Sequence, residues 1–489
     1  MRRSARSFII LTLCIVIGCA ILFLASVGAK NEKLEIDLAN SETLEEALPK
    51  AEKGDYLRQF HVGVIYYKSA AEVPENMKKA IYWFKRAAEQ GDSTAQYNLS
   101  YILGDKESPY FDKDQALYWL QMSANQENAS AQNDLGREYA FGSLVPRNKK
   151  LGEELLLKAA EKKVRIAAYN LALLYYYDDE NELEMPSSEA LKWMKIAEAN
   201  GILAAQNDLG LMYRDGLKAP KNPALANELL NKAASRNYLQ AQYELGLSAY
   251  KGLGQAVDKQ KAIEWFKKAA WQGHYYSQRK LAGMYYDGDG TPQDYEQAFF
   301  WFKKANHTGS IESKINLANM YLYGHGTEKN ATKAFQLLFE AAEEGSAIAQ
   351  YRLAKMYSLG TDVTANYQTA FMLFLKSAEQ GYALAQTALG HAYLIGRGVE
   401  QNIEQAIEWT TKAAEQGHAN AQLILGKMYY SGLIQPQDKI KGLELIQKAA
   451  QQGEEEALRI QSDTSSLELF TEKFKNFMET TNLNSMENN

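Results

Sequence analysis

The sequence predicts an all-α fold: a solenoid of about eleven stacked helix–turn–helix repeats of 36 residues, preceded by an N-terminal transmembrane or signal helix. Three observations carry this. Gln59, Gln96, Gln132, Ala168, Gln206, Gln242, Gln278, Lys314, Gln350, Gln386, Gln422 and Leu458 recur 36 residues apart, apart from one interval of 37 and one of 38. A fixed period of roughly 20–50 residues is the signature of a stacked array, and such an array offers a binding surface. The same residue types return at the same places in each period. Finally, Arg2, Arg3 and Arg6 precede an uncharged, mostly apolar run of 21 residues, from Phe8 to Gly28.

Residues 1–29 form the leading element, a signal anchor or signal peptide. A helix needs about 20 apolar residues to span a bilayer, whereas the apolar part of a cleavable signal has roughly 7–15. The length favours an uncleaved anchor. Ser26, Gly28 and Ala29 keep cleavage after Ala29 open, and Val16-Ile17-Gly18-Cys19 is similar to a lipobox, although the apolar run continues past Cys19. Under every reading the arginines stay in the cytoplasm and the repeats lie beyond the membrane. The expected location is the inner membrane, single-pass, with a periplasmic array. A cleaved segment would leave a secreted or periplasmic protein.

Residues 30–43 read as a polar linker and residues 44–57 as a capping half-repeat, a lone second helix whose Ala51 and Gly54 match later units. The repeat array covers 58–456. In one unit, Ala385, Leu389, Gly390 and Tyr393 share one helical face. Gly396 and Gly398 break the helix. Ala406, Trp409, Ala413 and Ala414 form a second stripe, which Gly417 ends. The position after the repeated Leu holds only Gly, Ala or Ser, small enough for two helices to approach closely. Residues 457–479 are expected to cap the end. There Ser465 and Glu468 make a capping box, and Leu467, Phe470, Phe474, Phe477 and Met478 form an apolar stripe that would also suit a docking helix. Residues 480–489 read as a disordered tail.

The unit A-Q-x-x-L-G-x-x-Y-x-x-G followed by A-x-x-W-F-x-x-A-A-x-x-G, as in Ala241 to Gly273, resembles the Sel-one-like repeat (SLR), a relative of the tetratricopeptide repeat. The resemblance covers roughly residues 44–458. It implies a right-handed α/α superhelix that binds proteins or peptides. An anchor followed by a bare array is also similar to bacterial envelope members of the family. Some secreted members carry a Cys pair in each repeat. Here Cys14 and Cys19, both in the apolar run, are the only cysteines, so the array has no disulfides and no thiolate zinc site.

The chain has 54 basic and 60 acidic residues, and the exported part is more acidic still. This balance argues against nucleic-acid binding, which needs a basic stripe. No cofactor is expected. In tetratricopeptide arrays the first helix of each unit lines the concave face, which points to positions two, six and nine after the Ala of the A-Q pair. These hold Phe60, Tyr97, Tyr169, Tyr243 and Tyr351, then Tyr101, then Tyr67, Tyr176, Tyr250, Tyr286 and Tyr430. Aromatics are far denser there than their 11% share of the chain, and tyrosine is a favoured contact residue. The charges at these positions are Arg137, Arg214, Arg279, Lys355 and Lys427, with no carboxylate. A mildly basic, Tyr-lined groove suits an extended polypeptide with acidic residues. Alternatively, the rings fill the seam between adjacent first helices, or they stack on sugar, as a peptidoglycan-associated protein would require.

Catalysis has little support. The six histidines show no metal-type spacing. Ser248 to Lys251 and Ser277 to Lys280 form S-x-x-K tetrads, and His307-Thr308-Gly309 loosely resembles the K-T-G element of penicillin-recognising enzymes. The S-D-N element is missing, and the tetrads sit on repeat-equivalent helices without that fold. The G-x-G pairs follow helices rather than strands, so they are not nucleotide loops. His274 and His418 follow turn glycines at equivalent positions, which suggests a turn role.

Overall fold

The computed structural model describes residues 42–142, 144–178, 188–360, 363–463, 465, 467–469, 471 and 472. Among them are helices and turns and no strand. The expected anchor at 8–28 lies outside the described residues, and no helix within them is long and apolar enough to cross a membrane.

Helix α1 (Leu44–Glu52) stands alone, followed by helix pairs. These are α2 (Tyr56–Ser69) with α3 (Glu75–Glu89), α4 (Ser93–Leu103) with α5 (Lys113–Asn125), α6 (Ala129–Phe141) with α7 (Lys149–Glu161), and α8 (Arg165–Tyr176) with α9 (Ser188–Ala199). Next come α10 (Leu203–Asp215) with α11 (Pro223–Ser235), α12 (Leu239–Lys251) with α13 (Lys259–Trp271), and α14 (Tyr275–Asp287) with α15 (Tyr295–Ala305). The last are α16 (Ile311–Tyr323) with α17 (Ala331–Glu343), α18 (Ala347–Leu359) with α19 (Tyr367–Glu379), α20 (Ala383–Ile395) with α21 (Ile403–Glu415), and α22 (Ala419–Ser431) with α23 (Lys439–Gln451), before α24 (Glu455–Ser462). Even-numbered helices are the first of each pair. The described residues group into two compact units that divide between Ala269 and Ala270.

Each pair is closed by local chemistry. Most first helices end at a left-handed glycine, such as Gly216 at φ 73° or Gly396 at φ 69°, a conformation glycine adopts without strain. Most second helices begin at an Asn or Asp whose side chain accepts the backbone N–H three residues on, as in Asn148, Asn222, Asn330, Asn366, Asn402 and Asp438, whereas α3 follows Pro74 without a side-chain cap. The N–H of the same residue bonds back to the recurring Tyr of the first helix: Asn222 to the Tyr213 carbonyl at 2.7 Å and Asn402 to the Tyr393 carbonyl at 3.0 Å. The loop is therefore clamped at both ends.

The small residue on each first helix faces the second helix of its own pair. A β-carbon on Gly246 would lie 2.5 Å from the Phe266 ring, and one on Gly390 would lie 2.4 Å from Thr410 Oγ1. The second helix of one repeat then packs on the first helix of the next. Leu230, Ala233 and Ala234 of α11 join Ala241 and Leu245 of α12, and in the second unit Leu338 and Ala341 of α17 join Ala349 and Leu353 of α18. Each buried leucine contributes about 1.5–3 kcal/mol.

At the N-terminal end, Ala47 and Ala51 of α1 pack with Val62 and Trp83, so a lone second helix covers the first repeat. At the other end, Ala457 and Ile460 of α24 and the fully buried Leu467 pack with Leu423, Tyr430 and Ile446. The carboxylate of Asp463, rather than the Ser465 hydroxyl, receives backbone here, accepting the Ser465 N–H at 2.9 Å. Phe470, Phe474, Phe477 and Met478 lie outside the described residues.

Candidate binding face

The repeated glutamine is a bolt between repeats. Its amide Nε2 donates to the carbonyl eight residues earlier, near the end of the preceding second helix: Gln96 to Ala88 at 3.0 Å, Gln278 to Ala270 at 2.9 Å and Gln386 to Ala378 at 3.1 Å. In five repeats its Oε1 accepts from a further glutamine at the end of its own repeat, as Gln96 does from Gln126 at 2.8 Å and Gln386 from Gln416 at 2.7 Å, whereas the Oε1 of Gln132 and Gln206 meet no partner among the described residues. Where Lys314 replaces the first glutamine, Glu344 replaces the second, and the two pair at 2.5 Å. The first-helix members of these pairs are buried and leave the exposed part of the first helices to other positions.

In the first unit the predicted groove residues form a ladder between consecutive first helices. The hydroxyl of buried Tyr97 (α4) donates to Asp134 Oδ2 (α6) at 3.0 Å, and that of buried Tyr169 (α8) donates to Asp208 Oδ2 (α10) at 2.7 Å. Asn170 Nδ2 bonds Asn133 Oδ1 at 2.9 Å. Arg137 lies 3.2 Å from Glu138 and 3.7 Å from Asp134. Arg214 lies 2.7 Å from Glu244 (α12) and 2.8 Å from Asp215. Burial pushes the Tyr169 phenol well up, and the facing Asp208 adds to this. The Asp208 carboxyl also rises through burial, against the hydrogen bonds from Tyr169 and Asn207. Burial alone would lower Arg137 and Arg214, but their carboxylate neighbours outweigh it and raise both.

The expectation of a mildly basic groove is thereby corrected for these cations. The positions three, seven and ten after the repeat Ala carry Asp134, Asp208, Glu244, Glu138 and Asp215, and on a helix they lie beside positions two, six and nine. Arg279 pairs likewise with Glu312, and Lys427 with Glu456. Lys355 is exposed and in no ion pair among the described residues. Asp134, Asp208, Glu244, Glu138 and Asp215 were visible in the sequence, each one residue from a selected position.

The remaining candidates are mostly half-buried. Phe60 packs 5.8 Å from Phe84, and Tyr243 the same distance from Phe266. Tyr67 lies beside Tyr101 and Asp105; burial, then these neighbours, raises its phenol. Tyr176 meets Tyr177 edge-on at 5.1 Å, and Lys259 Nζ sits 5.8 Å over the Tyr250 ring. Tyr351 lies 5.8 Å from Phe374 and 5.4 Å from Tyr382. Tyr430 is buried, with Lys439 Nζ 4.9 Å over its ring.

Tyr286 leads to a device that sequence reading missed. Its hydroxyl hydrogen-bonds His325 Nδ1 at 3.0 Å, and the His325 ring stacks on Tyr295 at 4.2 Å. His325 is the middle residue of a G-x-G loop, and a β-carbon on Gly326 would lie 1.9 Å from the Tyr295 carbonyl oxygen. Two repeats further on, a β-carbon on Gly398 would lie 2.1 Å from the Tyr367 carbonyl oxygen, and Arg397 lies 5.3 Å over the Tyr367 ring. The second glycine thus seats the loop on the start of the preceding second helix and sets its middle side chain on that residue's ring. Only the loop glycines hinted at this, since the partner comes from the preceding repeat.

Neither serine tetrad presents a nucleophile. Ser248 is completely buried, and its hydroxyl meets no partner among the described residues. Ser277 is also buried, and its Oγ lies 2.9 Å from His274 Nδ1. His274 and His418 cap helices, accepting the backbone N–H of Ser277 and Ala421 at 3.2 and 3.4 Å. Among the described residues no three His, Cys, Asp or Glu side chains gather to hold a metal.

The Sel1 repeat family matches residues 59–92, 93–128, 129–164, 165–202, 203–238, 239–274, 276–307, 311–346, 347–382, 383–418 and 419–454. The chain belongs to this family, whose solenoids act as protein-interaction scaffolds and are typically non-catalytic. It is similar to the solved structure of a protective antigen present in uropathogenic Escherichia coli strains that displays an SLR fold. The identity is 29%, covering 88% of this chain and 90% of that one, with a TM-score of 0.59. It is also similar to a Sel1 repeat protein from Oxalobacter formigenes, with 30% identity over 71% of this chain and 90% of that one and a TM-score of 0.49. No curated protein sequence matches the chain at significance.

Proposed function

We propose that the chain is a membrane-anchored scaffold of the bacterial envelope that binds an extended polypeptide along its first-helix face and does no chemistry of its own. The carrying observation is the run of half-buried tyrosines, Tyr67, Tyr176, Tyr243, Tyr250, Tyr286 and Tyr351, at two repeat-equivalent positions of that face. Their rings are held by packing yet remain partly open to solvent, so a partner meets a surface whose side-chain entropy is already lost. The seam alternative describes Tyr97, Tyr169 and Tyr430, whose rings are buried, and those three are not contact residues in this proposal.

The anchor, residues 8–28, would hold the array at the inner membrane with the repeats in the periplasm. An alkaline phosphatase fusion after residue 472 should be active, and loss of that activity would refute the periplasmic placement. Binding is tested by a photoreactive residue at Tyr243, Tyr250 or Tyr286 in native cells, with Lys268 as control. Adducts to a protein at the tyrosines alone are the expected result. Adducts to muropeptide, or equal yields at Lys268, would overturn the peptide reading.

A further inference from the structure

Three consecutive first helices late in the second unit stand apart from α14 and α16, which carry Asp287 and Glu312. Helices α18, α20 and α22 contain no aspartate or glutamate, yet they carry Arg352, Lys355, His391 and Lys427. Lys355 and His391 are exposed and occupy the same repeat position. Lys427 is paired with Glu456 from α24, whereas Arg352, Lys355 and Arg397 make no ion pair among the described residues. In the first unit, by contrast, Arg137 and Arg214 are each flanked by carboxylates.

This cationic stretch opens on a pocket of about 110 Å³. Its floor is apolar, made by Phe371 and Phe374 of α19 with Ala388 and Ala392 of α20. Its rim is polar: His391, the exposed Tyr367 ring and Arg397 stacked over it at 5.3 Å. Gly398 fixes that rim, because its backbone sits against the Tyr367 carbonyl where a β-carbon would lie 2.1 Å away. Arg397 is therefore held at the mouth although it stands in a loop. Burial and the nearby Arg397 charge lower the His391 imidazole, so Arg397 and Lys355 supply the positive charge near neutral pH. A dry cavity of about 150 Å³ takes a benzene ring, so this one has room for a branched aliphatic side chain and not for an indole.

We infer that this pocket is the anchor site of the scaffold, holding one aliphatic side chain of an acidic polypeptide segment whose neighbouring carboxylates meet Arg397 and Lys355. The inference rests on the peptide-binding reading above and narrows it to the repeats of α18–α21. An apolar floor under unpaired cations discriminates against a neutral glycan, which would leave the guanidinium without a counter-charge, and against basic peptides, which it repels.

The test is fluorescence anisotropy on the full chain. The probe is a labelled peptide with a central leucine flanked on each side by glutamates. Comparison peptides replace the glutamates by lysine or the leucine by glycine, and unlabelled polygalacturonate serves as a competitor. The glutamate–leucine peptide should bind, its glycine form about tenfold more weakly, and its lysine form not at all. Arg397→Glu and Lys355→Glu, both on exposed side chains, should each weaken it about tenfold, while Lys268→Glu should not. Ala388→Phe should fill the cavity and make the leucine and glycine peptides equal. Unchanged binding in Arg397→Glu and Lys355→Glu would overturn the site. If Tyr243→Ala or Tyr250→Ala then abolished binding, the peptide reading would survive without this pocket. No binding of either acidic peptide would overturn the inference, and stronger binding of polygalacturonate lost in the same variants would replace the peptide by an anionic glycan.

Discussion

Lys149 and Asp178 place an ion pair inside the first unit, with Nζ and Oδ1 at 2.6 Å and both side chains almost without solvent contact. Asp178 stands where most repeats put the helix-ending glycine, so the charge was brought into a site normally filled by backbone. Removing one partner leaves the other charge buried, which costs about 3–5 kcal/mol. Lys149→Met should therefore destabilise the chain strongly by denaturant titration, and adding Asp178→Leu should recover much of the loss. A double variant as weak as the single one would contradict this account. His274 supplies a pH dependence. Burial pulls its imidazole from 6.5 down to about 4, and its unprotonated Nδ1 accepts the Ser277 N–H. A lowered histidine contributes stability that is complete above its ordinary value and lost as pH falls from about 6.5 towards 4. The denaturation midpoint of the natural chain should drop more than that of His274→Asn across this window, since Asn caps a helix without titrating. Parallel curves would show that the cap does not titrate there.

At the scale of helices, the glutamine bolt explains why the period is so regular. An insertion in either helix would separate Gln350 from the Ala342 carbonyl at 3.2 Å and from Gln380 at 2.8 Å. Gln350→Ala removes one of two donors to that carbonyl, which keeps the Gly345 N–H at 3.0 Å, and should cost about 0.5–1.5 kcal/mol. Gln350→Lys combined with Gln380→Glu should cost clearly less than either change alone, because Lys314 and Glu344 already make that exchange naturally. A double-mutant cycle measures the coupling, and additive losses would count against it. The loops obey a similar cross-repeat rule. Gly398→Ala meets both a φ of 77° and the Tyr367 carbonyl. It should cost about 1–3 kcal/mol and free Arg397 from its ring, readable as weaker binding of an acidic peptide.

Over the whole molecule, stability is a sum of repeats and their neighbour contacts, so a local defect stays local. Hydrogen exchange on Lys149→Met should show lost protection in α7 and α8 and little change in α18–α22. Uniform loss would mean that the chain unfolds as one unit.

Much was legible in the sequence because an array repeats its solution. The 36-residue period, the Leu, the small residue and the Asn or Asp caps arise from contacts within one or two helices, and each recurs with its spacing intact. The candidate face was only half legible. Its tyrosines could be located by register, but burial of Tyr97 and Tyr169 and neutralisation of Arg137 and Arg214 depend on side chains reaching across from adjacent helices. By itself, the sequence determined the all-helical repeat, its period and its family, since these follow from local periodicity and the size of residues at fixed positions. Only the tertiary structure decided which cations keep an open charge, which rings stay accessible, and that Gly398 sets Arg397 over Tyr367 beside an apolar pocket. Those outcomes depend on distances between residues of different repeats, and a period does not encode them.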